Sequence, residues 1–253
     1  VDSKIYPNKY LDMTRAHHLV LGYQWRVAPA TRFKAEAYYQ YLYNIPVDLY
    51  EPYYSVINLG GMNFDKYGRV YVSDATGYNY GLELTLERFL SQGWYYMATA
   101  SVFESKFRSI DNILRNTRYN SNFVANLLLG KEFEITKKES SKNMWSLGGD
   151  IKFAFAGGQR YIPVDLEASK LNGSTVYIYE QAYLPRHPFY MRGDIKVWAK
   201  IHQRNITHEI GVEVRNFTNR KNVYSYEYDV KLEAMRTSYQ TGLLPLGYYR
   251  ITF

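Results

Sequence analysis

Alternation of apolar and polar residues, sustained over stretches about twice the ordinary strand length of about 5 to 6 residues, is what most narrows the folds open to this chain. From Arg15 to Val27 one face carries Leu19, Leu21, Tyr23, Trp25 and Val27, and the other His18, Val20, Gly22, Gln24 and Arg26. From Thr31 to Tyr43, Phe33, Ala35, Ala37, Tyr39 and Tyr41 oppose Arg32, Lys34, Glu36, Tyr38 and Gln40. Tyr80, Leu82, Leu84 and Leu86 then oppose Gly81, Glu83, Thr85 and Glu87. Successive side chains of a strand point to opposite faces, whereas helical spacing would mix these sets. Six further strands are predicted: Trp94–Phe107, Tyr119–Phe133, Met144–Phe155, Phe189–Ile201, Ile206–Asn216 and Gly247–Phe253. Ile195, Val197, Ala199 and Ile201 there oppose Asp194, Lys196, Trp198 and Lys200, and Ile210, Val212 and Val214 oppose Glu209, Gly211, Glu213 and Arg215. The Trp94 segment mixes Tyr95, Met97 and Phe103 with Thr99 and Ser101, so its faces are left unassigned.

The connections alternate in length. Short ones are read at Ala28–Ala30, Gln92–Gly93, Lys137–Asn143 and Gln203–Asn205. Longer ones run from Asn44 to Gly77, Arg108 to Arg118, Ala156 to Pro188 and Asn219 to Leu246. In an up-and-down antiparallel meander every short turn falls at one end and every long loop at the other, the asymmetry of transmembrane β-barrels. Aromatic residues fall near both ends. Trp25, Phe33, Phe89, Trp94, Phe133 and Trp145 lie near the short turns, and Tyr41, Tyr43, Tyr78, Phe107, Tyr119, Phe155 and Tyr190 near the long loops. Rings with a polar tip favour interfaces between water and hydrocarbon. Of the 253 residues 28 are Tyr, against 24 acids and 31 Lys and Arg. The longest stretch free of these charges runs only from Phe89 to Phe103, too short for a helix of about 20 residues to span a bilayer. An all-β, antiparallel transmembrane barrel is therefore predicted, with a soluble β-sandwich as its competitor.

Nine strands is an odd number, and bacterial single-chain barrels normally have an even one, so further strands are expected upstream. Val1 is not Met, the first fourteen residues have no convincing alternation, and no leader is visible, so the chain reads as a fragment. The final Tyr249, Ile251 and Phe253, at alternate positions of a terminal strand, resemble the signal by which outer-membrane barrels are recognised for assembly.

Six stretches carry a resemblance to a family: RAHHLVLGYQW (Arg15–Trp25), YGLELTLERFLSQGWYYMATASVFESKF (Tyr80–Phe107), NLLLGKEF (Asn126–Phe133), GGQRYIPVD (Gly157–Asp165), VRNFTNRKNVYSYEYD (Val214–Asp229) and the closing YYRITF. In order and spacing they resemble the C-terminal barrel of TonB-dependent outer-membrane receptors, especially those with an N-terminal carboxypeptidase-regulatory-like domain. The resemblance implies a barrel of about 22 strands around a plug, with residues 1–253 forming its last nine strands, while plug and earlier strands lie outside this chain. It also implies residence in the outer membrane of a Gram-negative envelope among lipid and lipopolysaccharide. Uptake would be of a ferric chelate, cofactor, oligosaccharide or peptide, energised by the TonB complex, with a surface lipoprotein as a further partner.

No residue pattern points to an enzyme, a cofactor or a metal. There is no Cys. His17 and His18 are adjacent and so face opposite ways on a strand, His208-Glu209 lacks a second His four residues after the first, and His187 and His202 stand alone. Gly60-Gly61, Gly148-Gly149 and Gly157-Gly158 are not followed by Lys-Ser/Thr, so they read as close approaches rather than phosphate cradles. Asp165, Glu167 and Asp229 are weak cation candidates, and the N-x-S/T triplets at Asn172, Asn205 and Asn216 read as incidental. Net charge is +7, but bases are scattered among acids, with Lys137-Lys138 and Arg220-Lys221 the densest runs, which argues against nucleic acid. The expected substrate surface is the long-loop end, with Tyr50, Tyr53, Tyr54, Arg69, Arg160, Tyr161, Tyr183 and Arg186 offering stacking planes, hydrogen bonds and positive charge. The alternative is a non-transporting barrel subunit with a structural or adhesive role.

Overall fold

The computed structural model describes residues 8–59, 69–135 and 143–253. Nine long strands form one antiparallel sheet in chain order: β1 (Arg15–Ala28), β2 (Thr31–Asp48), β3 (Tyr71–Ser91), β4 (Trp94–Arg108), β5 (Phe123–Glu134), β6 (Asn143–Ala156), β7 (Tyr190–Gln203), β8 (Ile206–Arg215) and β9 (Leu244–Thr252). Each of the nine predicted segments falls on one of them. The sheet is open among the described residues, with β1 and β9 as its edges. Tight two-residue turns join β1 to β2, β3 to β4 and β7 to β8. Gln92 and Gly93 both take positive φ (53° and 77°), the backbone twist that a two-residue hairpin requires. The short turn at Lys137–Asn143, with the Lys137-Lys138 run, lies outside the described residues except for Asn143, as does Gly60-Gly61.

Register fixes which residues share a face, since directly opposed residues project to the same side. One continuous row reads Tyr23, Ala35, Leu84, Ala100, Ala125, Phe155 and Met191. The next reads Trp25, Phe33, Leu86, Ala98, Leu127 and Phe153. This settles the unassigned β4: Ala98, Ala100 and Val102 lie on the apolar face, and Thr99 and Ser101 on the polar one. Exposure is inverted relative to a water-soluble sheet. Ile210 is 62% and Val197 53% exposed, whereas Glu209, Asp194 and Trp198, all on the polar face, are only 8%, 7% and 5% exposed. Tyr249 and Ile251 of the closing signal lie on the apolar face opposite Ile210 and His208, and Phe253 follows the end of β9.

The polar face is held by charge pairing and by flat rings. Glu132 accepts from Lys200 Nζ at 2.9 Å and Ser146 Oγ at 2.7 Å. Glu209 accepts from Tyr248 Oη at 2.5 Å and pairs with Lys196 and Arg250 at 3.6 and 3.8 Å. Tyr38, Tyr95, Trp198 and Tyr248 each stand directly opposite a glycine on the neighbouring strand: Gly81, Gly130, Gly148 and Gly211. A Cβ on Gly148 would approach the Trp198 ring to 2.5 Å, and one on Gly211 the Tyr248 ring to 2.6 Å. Glycine leaves room for the ring to lie over the neighbouring strand, a device that stabilises a weak strand position.

Apart from Trp198, the buried apolar residues sit not in the sheet's middle but at the long-loop end. Here β2 runs on to Asp48 and β3 starts at Tyr71, so the loop expected from Asn44 to Gly77 is shorter, because the hairpin continues through two register shifts. The first inserts one residue into β2 at Asn44, whose φ is 54°. An extra residue reverses the alternation. Ile45 and Val47 therefore turn to the face opposite Tyr41 and Tyr43, where they bury with Ala75 against Leu42, Ile57 and Val72. A second cluster joins Phe107, Ala182 and Tyr183. Phe107, expected in the aromatic belt, is instead fully buried, its ring edge-on to Tyr183. Tyr190, expected in the same belt, faces the polar side beside Ala156 and Val124, where it lines a cleft.

The other long connections are also more ordered than simple loops. Leu114–Asn116 pairs with the end of β4, and β5 starts at Phe123 rather than Tyr119 because Asn122, at φ 68°, turns the chain. The β6–β7 connection holds a short helix, Leu166–Asn172, capped at its start by Asp165 accepting from Ala168 N and ended by Gly173 in the left-handed region. Asp165 is thus a helix cap, and Glu167 pairs with Lys170. The β8–β9 connection folds into a hairpin of Val223–Asp229 and Ala234–Tyr239, and β9 starts at Leu244 rather than Gly247.

Candidate functional site

All four long connections converge on one cleft of about 240 Å³ at the long-loop end. The β2–β3 connection contributes Tyr54 and Asn58, the β4–β5 connection Arg118, the β6–β7 connection Gln159 to Ile162, Tyr177, Tyr183 and His187, and the β8–β9 hairpin Tyr224 to Tyr226. The backbone of Arg118 is clamped from both sides, its N–H donating to Asn58 Oδ1 at 2.8 Å and its carbonyl accepting from Arg160 N at 3.0 Å. Gly157 and Gly158 bring the β6–β7 connection against the carbonyls of Ser121 and His187, where a Cβ would collide. That close approach holds His187 at the cleft wall.

Four of the eight predicted substrate residues, Tyr54, Arg160, Tyr161 and Tyr183, line this cleft. Arg160 is already committed: Nε donates to Asn120 O, and Nη1 to the carbonyls of Tyr183 and Leu184. It ties three loop segments together. Burial and the neighbouring Arg186 hold its pKa below the usual arginine range. The other four lie elsewhere. Arg186 donates to Asn122 Oδ1. Arg69 bridges Asp48 and Glu51 and lies 3.8 Å over the Tyr54 ring. Tyr53 stacks on Tyr179 at 4.2 Å, and Tyr50 projects from the surface.

Arg118, Tyr177, His187 and Tyr226 also line it. His187, isolated in the sequence, finds its partners far along the chain. Its ring stacks on Tyr161 at 4.4 Å and 17°, and Tyr226 meets Tyr161 edge-on at 5.1 Å. Burial, reinforced by Arg118, holds the His187 pKa below its ordinary value, so the ring is neutral near pH 7. Burial pushes the Tyr183 phenol up to about 12 and raises that of Tyr161 as well, so both remain hydrogen-bond donors.

The cleft does not end at the loops. His187 and Gln159 also wall a second cleft of about 400 Å³ that reaches Val124, Ala156 and Tyr190 on the polar face of the sheet. Phe103 and Val124 in turn wall a third, of about 410 Å³, along Tyr38, Glu83, Thr85, Thr99 and Asn126. Shared residues thus string three depressions from the loops down the polar face. Among the described residues no group of three or more His, Asp or Glu could hold a metal ion. No family model, curated protein or solved structure matches the chain.

Proposed function

We propose that this chain is part of the wall and outer mouth of an outer-membrane β-barrel that takes up a small solute, of the TonB-dependent receptor kind. The observation that carries the reading is the inverted exposure of the sheet: a broad apolar face turned outward while its charges pair on the other side. A contiguous exposed apolar face of this kind marks contact with a membrane or another protein. Hydrocarbon is the solvent that fits it, since apolar-out and polar-in alternation is what membrane strands require.

Closure follows from the edges. The free N–H and C=O groups of β1 and β9 would each cost several kcal/mol in hydrocarbon, so both edges must be paired by further strands. The string of clefts supports passage along the inner wall. The TonB complex would supply the energy, with lipopolysaccharide around the outer rim and a surface lipoprotein over the loops. No covalent step is required. A barrel predicts heat-modifiable migration of the folded protein on gels and apolar-face cysteines, such as at Leu84, that react only with lipid-soluble reagents. Solute uptake that depends on the proton gradient and disappears on deletion supports transport; a deletion that leaves uptake intact points to the structural role.

A further inference from the structure

The outer cleft is chemically one-sided. Its lining holds two arginines and no carboxylate. Arg160 is spent on backbone carbonyls, whereas the guanidinium of Arg118 has no hydrogen bond or ion pair among the described residues. Several described acids of the surrounding loops have partners of their own, and neither Glu180 nor Glu227 is in the cleft lining. Asp48 and Glu51 hold Arg69, Asp111 holds Arg115, Glu104 faces Lys106 and accepts from Asn120 and Asn122, and Glu227 accepts from Ser225 Oγ. The guanidinium is partly buried in the cleft wall, so a ligand anion entering the cleft can pair with it without first displacing another partner. The clamped backbone of Arg118 means that its placement does not depend on what the guanidinium binds.

Rings make up most of the remaining lining, beside Asn58, Leu59, Gln159, Ile162 and Ser225. Tyr161 and His187 stack, Tyr226 stands edge-on to Tyr161, and Tyr54, Tyr177 and Tyr224 close the other sides. Such walls favour a flat ligand ring, which can stack or meet them edge-on. The volume of about 240 Å³ falls below the usual range for drug-sized ligands of about 300 to 1,000 Å³, so the cleft suits one ring system and not a multi-ring chelate.

We propose that the outer cleft binds a small organic anion built on a flat unsaturated ring, its carboxylate paired with Arg118 and its ring set among Tyr161, Tyr177 and Tyr226. The assignment deepens the uptake reading and rests on it for the cleft facing the cell exterior. The second cleft, whose lining carries no Asp, Glu, Lys or Arg, is the next station for the same molecule.

The test titrates the protein at its full encoded length, in detergent, with benzoate, benzamide, cyclohexanecarboxylate and inorganic phosphate, read by calorimetry. Benzoate is expected to bind, benzamide at least tenfold more weakly, and cyclohexanecarboxylate and phosphate several-fold more weakly. A charge-assisted hydrogen bond is worth roughly 10- to 100-fold in affinity, so Arg118→Gln should weaken benzoate by that factor. Arg118→Lys should recover part of the loss, and Arg204→Gln, at the opposite end of the sheet, should change nothing. Equal binding of benzoate and benzamide, equal competition by phosphate, no binding of any probe, or an Arg118→Gln variant that binds as tightly as the parent overturns the assignment. A heat-modifiable protein that takes up another solute while failing these titrations retains the uptake reading and loses only this one. Arg118-dependent benzoate binding without any uptake does the reverse.

Discussion

Along β2 and β3 the same two strands bury their apolar residues in opposite directions. In the sheet proper Leu82, Leu84 and Leu86 stand exposed beside Ala35 and Ala37, while a few residues further on Ile45, Val47 and Ala75 are sealed in a core. The loop layer is built as a water-soluble protein is, with its apolar side chains inside, and the sheet is built the other way round. One chain meeting one solvent would have no reason to reverse. On the proposed membrane reading, the reversal point at the extra residue Asn44 is where the strands leave the hydrocarbon. The aromatic pairs Tyr41–Tyr43 and Tyr78–Tyr80, each with ring centroids 6.2 Å apart, lie on the exposed face just before it.

If the two layers do have different solvents, substitutions should sort by layer. The largest effect is expected from Phe107→Ala, which empties the buried core of the loop layer at a cost of about 3–5 kcal/mol. Loop proteolysis should accelerate strongly while the sheet stays heat-modifiable; a sheet that melts together with the loops would mean a single core. Next comes Leu84→Arg, midway along the apolar face, at about 2–4 kcal/mol if that face meets the bilayer midplane. Thr85→Arg, one residue away on the polar face, should cost far less. Urea titration of refolded protein in vesicles measures both, and equal costs would break the contrast.

Smaller still is Gly130→Ala. Its methyl would overlap the Tyr95 ring and displace the Tyr95 hydroxyl from Asp150, at an overpacking cost of about 1–3 kcal/mol in the same titration. The mildest effect is one of pH. His187 is nearly buried between Tyr161 and Tyr226 with Arg118 and Arg160 in the same cleft lining, and its folded pKa is depressed. The unfolded loop therefore takes up the proton first. The stabilisation is intact above the ordinary histidine value of about 6.5 and is lost as pH falls through the folded pKa. Loop proteolysis should quicken between pH 7.5 and 5.5, and His187→Asn should flatten that dependence; an unchanged slope in the variant would assign it to other groups.

Most of the sheet was legible because its residues report their own face, the Trp94 strand excepted, where only the register with β3 and β5 assigns the faces. Leu82 beside Glu83, or Val197 beside Lys196, needs no distant partner to be placed. The loop layer was not, for three physical reasons. Ile45 and Val47 continue the odd-numbered alternation of Phe33 to Tyr43, so nothing in the pattern betrays that an added residue has turned them around. Phe107 looks like any strand-end aromatic until Tyr183, far along the chain, is seen packed against it. In the site, composition brought out Tyr54, Arg160, Tyr161 and Tyr183, which the cleft brings together, but not Arg118, whose guanidinium has no ion pair among the described residues. An unpaired charge is a property of the whole neighbourhood, and a sequence states only the residue.

The ring-over-glycine pairs of the polar face carry a consequence for descent. Each joins two positions on different strands, so neither can drift alone: a side chain at Gly148 has room only where Trp198 has shrunk, and a ring at position 248 only where 211 stays bare. In chains that share this sheet, Tyr38 with Gly81, Tyr95 with Gly130, Trp198 with Gly148 and Tyr248 with Gly211 should be inherited or replaced as couples, which gives the strand register a trace readable from variation alone.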